Sequence, residues 1–255
     1  MRTRNIEFTG KSFKPFTQVY GFYDAVDVNK FCCSKLLEIE MISGTFEVSE
    51  TVIGTMPSTV QSQEVTESAV AALTFRVSQA NHKYGPYNNP SDIFDSNPYN
   101  REATIPSTYS ETSTILNVDT FSLQSEANPE FFGYAATGMI LVGQSSGAQA
   151  RVSNVRLVTD RLGTIIGSYR VPDQSNETNP VFETGTSVFK LTSSSINSLV
   201  QGVATTAGEQ TFYSQGSIDN IQETTLSVRN ADVEFREVEE ARTVTTFQDR
   251  DWETP

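Results

Sequence analysis

The chain is 255 residues long and 37% hydrophobic, enough for one large or two small domains with an apolar core and too much for disorder throughout. Its 18 basic and 31 acidic side chains leave a net charge of −13, which opposes binding to a phosphate backbone; one histidine and two cysteines leave little for imidazole chemistry or a thiolate metal site. No run of apolar residues is long enough to span a membrane, and the N-terminus leads into an alternating pattern, so the chain reads as soluble and made without a cleaved secretion signal.

Ile6 and Phe8 alternate with Glu7 and Thr9, and Val19, Gly21 and Tyr23 oppose Tyr20 and Phe22, which predicts two strands joined across Lys14-Pro15. A short strand over Val26–Phe31 follows the break at Asp24-Ala25, and alternation returns over Leu36–Ile42 and Thr45–Ile53. Alanine content predicts a helical turn over Glu67–Leu73. From Gln79 to Asn128 turn formers dominate, as in Asn81-His82-Lys83-Tyr84-Gly85-Pro86-Tyr87-Asn88-Asn89-Pro90, which predicts a long surface loop. Its Tyr84, Tyr87, Tyr99 and Tyr109 suit packing into a partner or stacking on a sugar ring, and equally suit pinning the loop to its own domain.

Residues 138–171 hold the clearest series: Met139–Val142, a turn at Gln144–Gly147, Ala148–Val158, a turn at Asp160–Gly163, and Thr164–Val171. Strands follow over Val188–Leu191, Gln210–Tyr213, Thr224–Val228, Val233–Val238 and Thr243–Phe247, with a second short helix over Ser193–Ala204. Short strands at this spacing, filled by β-branched and aromatic residues, predict an all-β sandwich or barrel. Residues 198–255 carry eleven acids against four arginines, while residues 1–35 carry a net +3. A basic head and an acidic tail suit end-to-end contact between copies, or simply two solvated surfaces.

Catalytic, cofactor and metal constellations do not emerge. His82 sits among turn formers with no nucleophile signature and reads as a surface residue, and Asp24 and Asp27 lack the glycine-bearing loop of a calcium site. Cys32 and Cys33 are adjacent, a spacing that strains a disulfide, and read as buried free thiols. Asn176-Glu177-Thr178 matches a glycosylation sequon without a secretory context, and Gly138–Gly147 lacks the lysine and helix of a phosphate loop.

The opening Arg2-Thr3-Arg4-Asn5-Ile6-Glu7-Phe8, with Phe13-Lys14-Pro15-Phe16-Thr17-Gln18-Val19-Tyr20-Gly21-Phe22-Tyr23-Asp24 and Val26-Asp27-Val28, resembles the start of a family of virion structural proteins from contractile-tailed phages of marine cyanobacteria. The later Asp160–Pro172, Phe182–Thr186 and Phe189–Thr192 are similar to that family's closing section, as are Thr211–Gly216 and Ser227–Ala231. Ala25 stands where the family has glycine, and the chain stops at Trp252-Glu253-Thr254-Pro255 where related chains continue, which implies an N-terminal piece of a longer baseplate or tail-fibre subunit.

The resemblance implies an immunoglobulin-like β-sandwich from residues 1–35 and 153–193, split by a small inserted β domain over 36–152 that carries the loop 79–128. Residues 194–255 are then an extended acidic segment or the start of a further domain. Inside the insert, Gly44–Gly54 and Thr137–Val152 both read strand, polar turn, valine-rich strand, and are expected to pair across the loop. The expected function is that of a structural protein of the tail, baseplate or tail fibre, acting in particle assembly. Its expected partners are other virion proteins and itself as a homo-oligomer, with no catalysis, cofactor, nucleic acid or membrane insertion. It would be synthesised in the host cytoplasm and located in the virion. A receptor- or carbohydrate-binding adhesin using the tyrosine loop is the alternative, and a carboxylate-pair hydrolase a third reading that no particular pair of acids supports.

Overall fold

Alternating side chains dominate this sequence, and strands dominate what it builds. The computed structural model describes residues 2–57, 71–124, 129–198, 200 and 203–214. The chain divides into units Met1–Gly216 and Ser217–Pro255, and all described residues lie in the first. The strands expected beyond residue 223 and most of the acidic end therefore lie outside the described residues.

In chain order the elements are β1 (Asn5–Gly10), β2 (Gln18–Tyr23), β3 (Val26–Asp27), β4 (Cys32–Ser34), β5 (Leu36–Ser43), β6 (Thr51–Thr55), β7 (Ala71–Arg76), β8 (His82–Tyr84), β9 (Asp92–Ile93) and β10 (Ile115–Asn117). There follow the short helix α1 (Thr120–Leu123), then β11 (Phe132–Gly133), β12 (Ile140–Gly143), β13 (Gln149–Asn154), β14 (Leu157–Val158), β15 (Ile165–Arg170), β16 (Gly185–Thr192) and β17 (Ala207–Ser214). The fold is all-β, with almost no helix and several antiparallel sheets.

The strands sort into two sets. One holds a three-stranded sheet, β1-β15-β4, and a second sheet ordered β14-β2-β16-β17 with β3 on β2. Although β1 and β2 are consecutive, they enter different sheets. Between the sheets lies a core of Val19, Tyr23, Phe31, Cys32, Leu157, Ile165, Tyr169, Val171, Phe182 and Leu191, each a side chain whose burial contributes roughly 1.5–3 kcal/mol if large. Tyr169 stacks on both Tyr23 and Phe189, with ring centroids 5.6 Å apart in each pair. β17 lies beyond residue 193, where the sandwich was expected to end, and pairs along its whole length with β16.

The other set is a seven-stranded sheet, β10-β5-β13-β12-β6-β7-β11. Residues 44–54 and 137–152 do pair, Val52–Thr55 lying antiparallel to Ile140–Gly143. The sheet also curls back on itself, because Val77 bridges Val118, Ser78 N donates to Asn117 O at 2.9 Å and Asp119 N donates to Arg76 O at 2.9 Å. Leu73, Phe75, Leu116, Leu141, Ala150 and Val152 fill the interior. Closure of this kind leaves fewer unpaired edges.

Chain passes between the sets twice. Outbound, β4 runs into β5 through Lys35, whose backbone N donates to Ile166 O at 2.9 Å and whose Nζ donates to Val118 O at 3.0 Å. Inbound, β13 leads to β14 through Arg156, which holds Glu38 by two bonds of 2.8 and 2.7 Å.

Several local expectations are corrected. The strand expected from Thr45 starts only at Thr51: Phe46 is buried, Val48 is exposed, and Glu47 N donates to Glu50 Oε1 at 2.6 Å, so local bonds take these residues out of the sheet. The described part of the helical turn at Glu67–Leu73 is strand, because Leu73 and Phe75 gain a core opposite β6 that a helix would deny them. Ser193–Ala204 holds no helix among its described residues, which form turns and irregular chain with a β-bridge at Ala204; the described helices are a 3-10 turn at Asn29–Phe31 and α1 at Thr120, where the Asp119 carboxylate caps Ser122 N. The loop 79–128 is itself partly ordered into β8, β9, β10 and α1.

Candidate functional site

β1 and β17 each stand at an end of their sheets, with one edge unpaired among the described residues. Between them opens an apolar groove of about 390 Å³, lined by Ile6–Lys11 on one wall and Gly208–Phe212 on the other, with Tyr23, Tyr169, Phe189 and Leu191 at its base. Phe13 closes one end. Its ring occupies the space that side chains at Gly10 and Gly208 would need, since a Cβ there would meet it at 2.7 and 2.9 Å. At the other end the Arg4 guanidinium stands 5.9 Å from the centre of the Phe212 ring.

Among the described residues, one polar atom at the base has no partner. The Tyr169 hydroxyl is buried without a hydrogen-bond partner, and its loss of water holds the phenol well above its ordinary pKa. Leaving such a group unpaired costs about 1–3 kcal/mol. Glu7, Lys11 and Glu209 line the same groove, whose chemistry is thus aromatic at the base with mixed charge in its walls. It is of a size and character that takes a few apolar side chains.

The loop tyrosines lie elsewhere. The Tyr99 hydroxyl stands 2.6 Å from Leu36 O and 3.2 Å from Arg156 O, so it ties both crossing segments together, and its ring lies 5.3 Å from the Arg156 guanidinium. The Tyr109 hydroxyl donates to Ser78 O at 2.6 Å and accepts from Asn117 N at 3.2 Å, at the seam that closes the seven-stranded sheet. Burial holds both phenols above the ordinary range. Tyr84 is half-buried between Lys11 and Lys83, and Tyr87 is half-buried under Arg76, 4.5 Å from its ring centre. The four are not brought together as one face.

His82, read from sequence as a surface residue, is fully buried. Its Nδ1 lies 3.1 Å from Ser78 Oγ and its Nε2 meets Tyr84 O, which fixes the neutral ring with the proton on Nε2. Asn117 Nδ2 donates to Gln79 O and to His82 O, each at 2.7 Å. Burial first, and the charge of Lys35 second, push the imidazole below its ordinary pKa. Nearby, burial pushes Lys35 down to about 8 against the opposing pull of Asp119 and Glu7. Ser, His and Asp do meet here, but Asp119 caps α1 instead of touching the imidazole in a triad, and none of these side chains lines the aromatic groove. The cluster reads as a polar brace inside the fold.

Cys32 and Cys33 are free and buried, with burial pushing Cys33 up to about 12. Sequence reasoning missed the groove because its walls are separated by nearly the whole described chain, and the only local signal, Gly10 followed closely by Phe13, names one wall alone. No protein-family model, no curated protein and no solved structure matches the chain.

Proposed function

We propose that this chain is a structural protein of a contractile phage tail, baseplate or tail fibre, acting in particle assembly with other virion proteins and with itself. The observation that carries the reading is β17, an eight-residue strand whose outer edge is unpaired among the described residues and which overhangs an aromatic groove. Such an edge is a template for another chain, and proteins that do not use one blunt it with charges, lysine above all, with proline or with a bulge. β17 holds one charge, Glu209, and no lysine or proline, and its pairing with β16 runs without a register shift.

The resemblance of residues 2–28 and 160–192 to cyanophage virion proteins supplies the setting. The same reading takes β1–β4 with β14–β17 as an immunoglobulin-like sandwich interrupted by the insert 36–152, supported by the two crossings at Lys35 and Arg156. A receptor- or glycan-binding role would rest on Tyr84 and Tyr87, since Tyr99 and Tyr109 engage their hydroxyls inside the fold.

Mass spectrometry of purified particles of a contractile-tailed cyanophage encoding this chain tests the proposal. The chain is expected at a fixed copy number per particle, together with density for its sheets in a reconstruction of the tail. Its absence from washed particles overturns the reading.

A further inference from the structure

β17 reads Ala207-Gly208-Glu209-Gln210-Thr211-Phe212-Tyr213-Ser214, with the two small residues at one end, the two aromatic residues near the other and three polar residues between. From this we propose that β17 pairs antiparallel with β17 of a second copy, centred on Gln210, to form an isologous dimer whose sheets join into one. The proposal rests on the assembly reading above and names the surface it uses.

Pairing with β16 shows which way each residue faces. Gly208, Gln210 and Phe212 lie opposite Leu191, Phe189 and Ser187 on the core face, while Glu209, Thr211 and Tyr213 lie opposite Lys190, Val188 and Thr186 on the outer face. A two-fold axis perpendicular to the sheet must pair residues of the same face, so at the axis one residue lies opposite its own copy. Centred on Gln210, it sets Gly208 against Phe212 of the second copy on the core face, and Ala207 against Tyr213 on the outer face. Each aromatic thereby covers a position with little side chain, the arrangement that best shields an edge glycine. Tyr213, 74% exposed in the single copy, gains a neighbour.

Charge agrees. The same register places Glu209 opposite Thr211 of the second copy, whereas a slip of one residue in the axis to Glu209 would bring two carboxylates face to face. The added strand would also lie over the open side of the groove, carrying the second copy's Phe212 up to the Phe13 ring that stands against Gly208.

Charge changes at Thr211 test both the surface and the register. In the Gln210-centred dimer, Thr211→Glu faces Glu209 twice and Thr211→Lys faces it twice with opposite sign. Sedimentation velocity of the full chain over a concentration series is therefore expected to show a dimer. Its dissociation constant should rise about tenfold in T211E and fall several-fold in T211K, both effects shrinking at high salt. Unchanged far-ultraviolet circular dichroism and melting below the dimer's dissociation constant would show that both variants fold.

Equal weakening by both variants would place Thr211 against itself and overturn the proposed register. An oligomer indifferent to both variants would overturn the β17 surface while leaving the assembly reading intact. A wild-type chain that stays monomeric at all concentrations also overturns the dimer, and particle incorporation then decides the assembly reading separately.

Discussion

The Lys83 ammonium lies 2.6 Å from the Asp160 carboxylate, with both side chains almost completely buried. Lys83 belongs to β8 in the long loop, and Asp160 opens the turn that leads into β15. The other Asp160 oxygen accepts from Leu162 N and Thr164 N, each at 2.8 Å, so one carboxylate shapes its own turn and anchors a distant loop to it. This ion pair therefore fastens the loop of one strand set onto the other.

Removing one partner of a buried pair leaves the other charge without compensation. Lys83→Met is expected to destabilise the protein by about 3–5 kcal/mol. Urea denaturation measures the loss, and Lys83→Met combined with Asp160→Asn should recover part of it, because no lone charge then remains.

His82 is the only histidine in the chain, so its titration can be isolated. Its folded pKa lies below the ordinary value of about 6.5, which means the unfolded chain takes up the proton first. Stability contributed by the neutral ring is complete above that value and falls as pH drops through and below it. Melting temperatures measured from pH 7.5 to 5 should decline more steeply for the wild type than for His82→Gln; parallel curves would remove His82 as the cause.

Tyr109→Phe deletes a hydroxyl that serves Ser78 O and Asn117 N at the sheet closure, and Tyr99→Phe deletes one at the crossing segments. Each is expected to cost about 1–3 kcal/mol through the backbone groups left unpaired. Hydrogen exchange tells them apart: Tyr109→Phe should accelerate amides of β7 and β10, and Tyr99→Phe those around Leu36 and Arg156.

Asp24 and Ala25 turn β2 into β3 with φ of 47° and 67°, both left-handed. Asp24 recovers some of that strain by accepting from Val188 N at 2.7 Å; Ala25 has only a methyl group. Ala25→Gly should therefore raise stability by about 0.5–1 kcal/mol despite glycine's greater freedom in the unfolded chain. Thermal melting measures this, and a lower melting temperature would contradict the account.

Many strand positions were legible from alternation, as in Leu36–Ser43, where the buried Leu37 and Ile39 mark one face. Alternation misled at Thr45–Glu50 because Glu47 and Glu50 make local bonds that no periodicity records. Alanine suggested helix at Glu67–Leu73, and in its described residues, Ala71–Leu73, tertiary pairing decided otherwise. The buried state of His82 was hidden because Asn and Pro neighbours describe turns and say nothing of what packs over them. Of the groove, the sequence shows only the aromatic residues; that Ile6–Lys11 faces Gly208–Phe212 depends on sheet order, which local pattern does not carry.

Cys32 and Cys33 are neighbours in β4, yet Cys32 belongs to the core between the two smaller sheets and Cys33 to the core of the seven-stranded sheet. One short strand is thus a partition with a different interior on each side, and consecutive side chains sample those interiors separately. A thiol reagent applied during unfolding to Cys32→Ser and to Cys33→Ser would time the opening of each interior on its own, two clocks mounted one peptide bond apart.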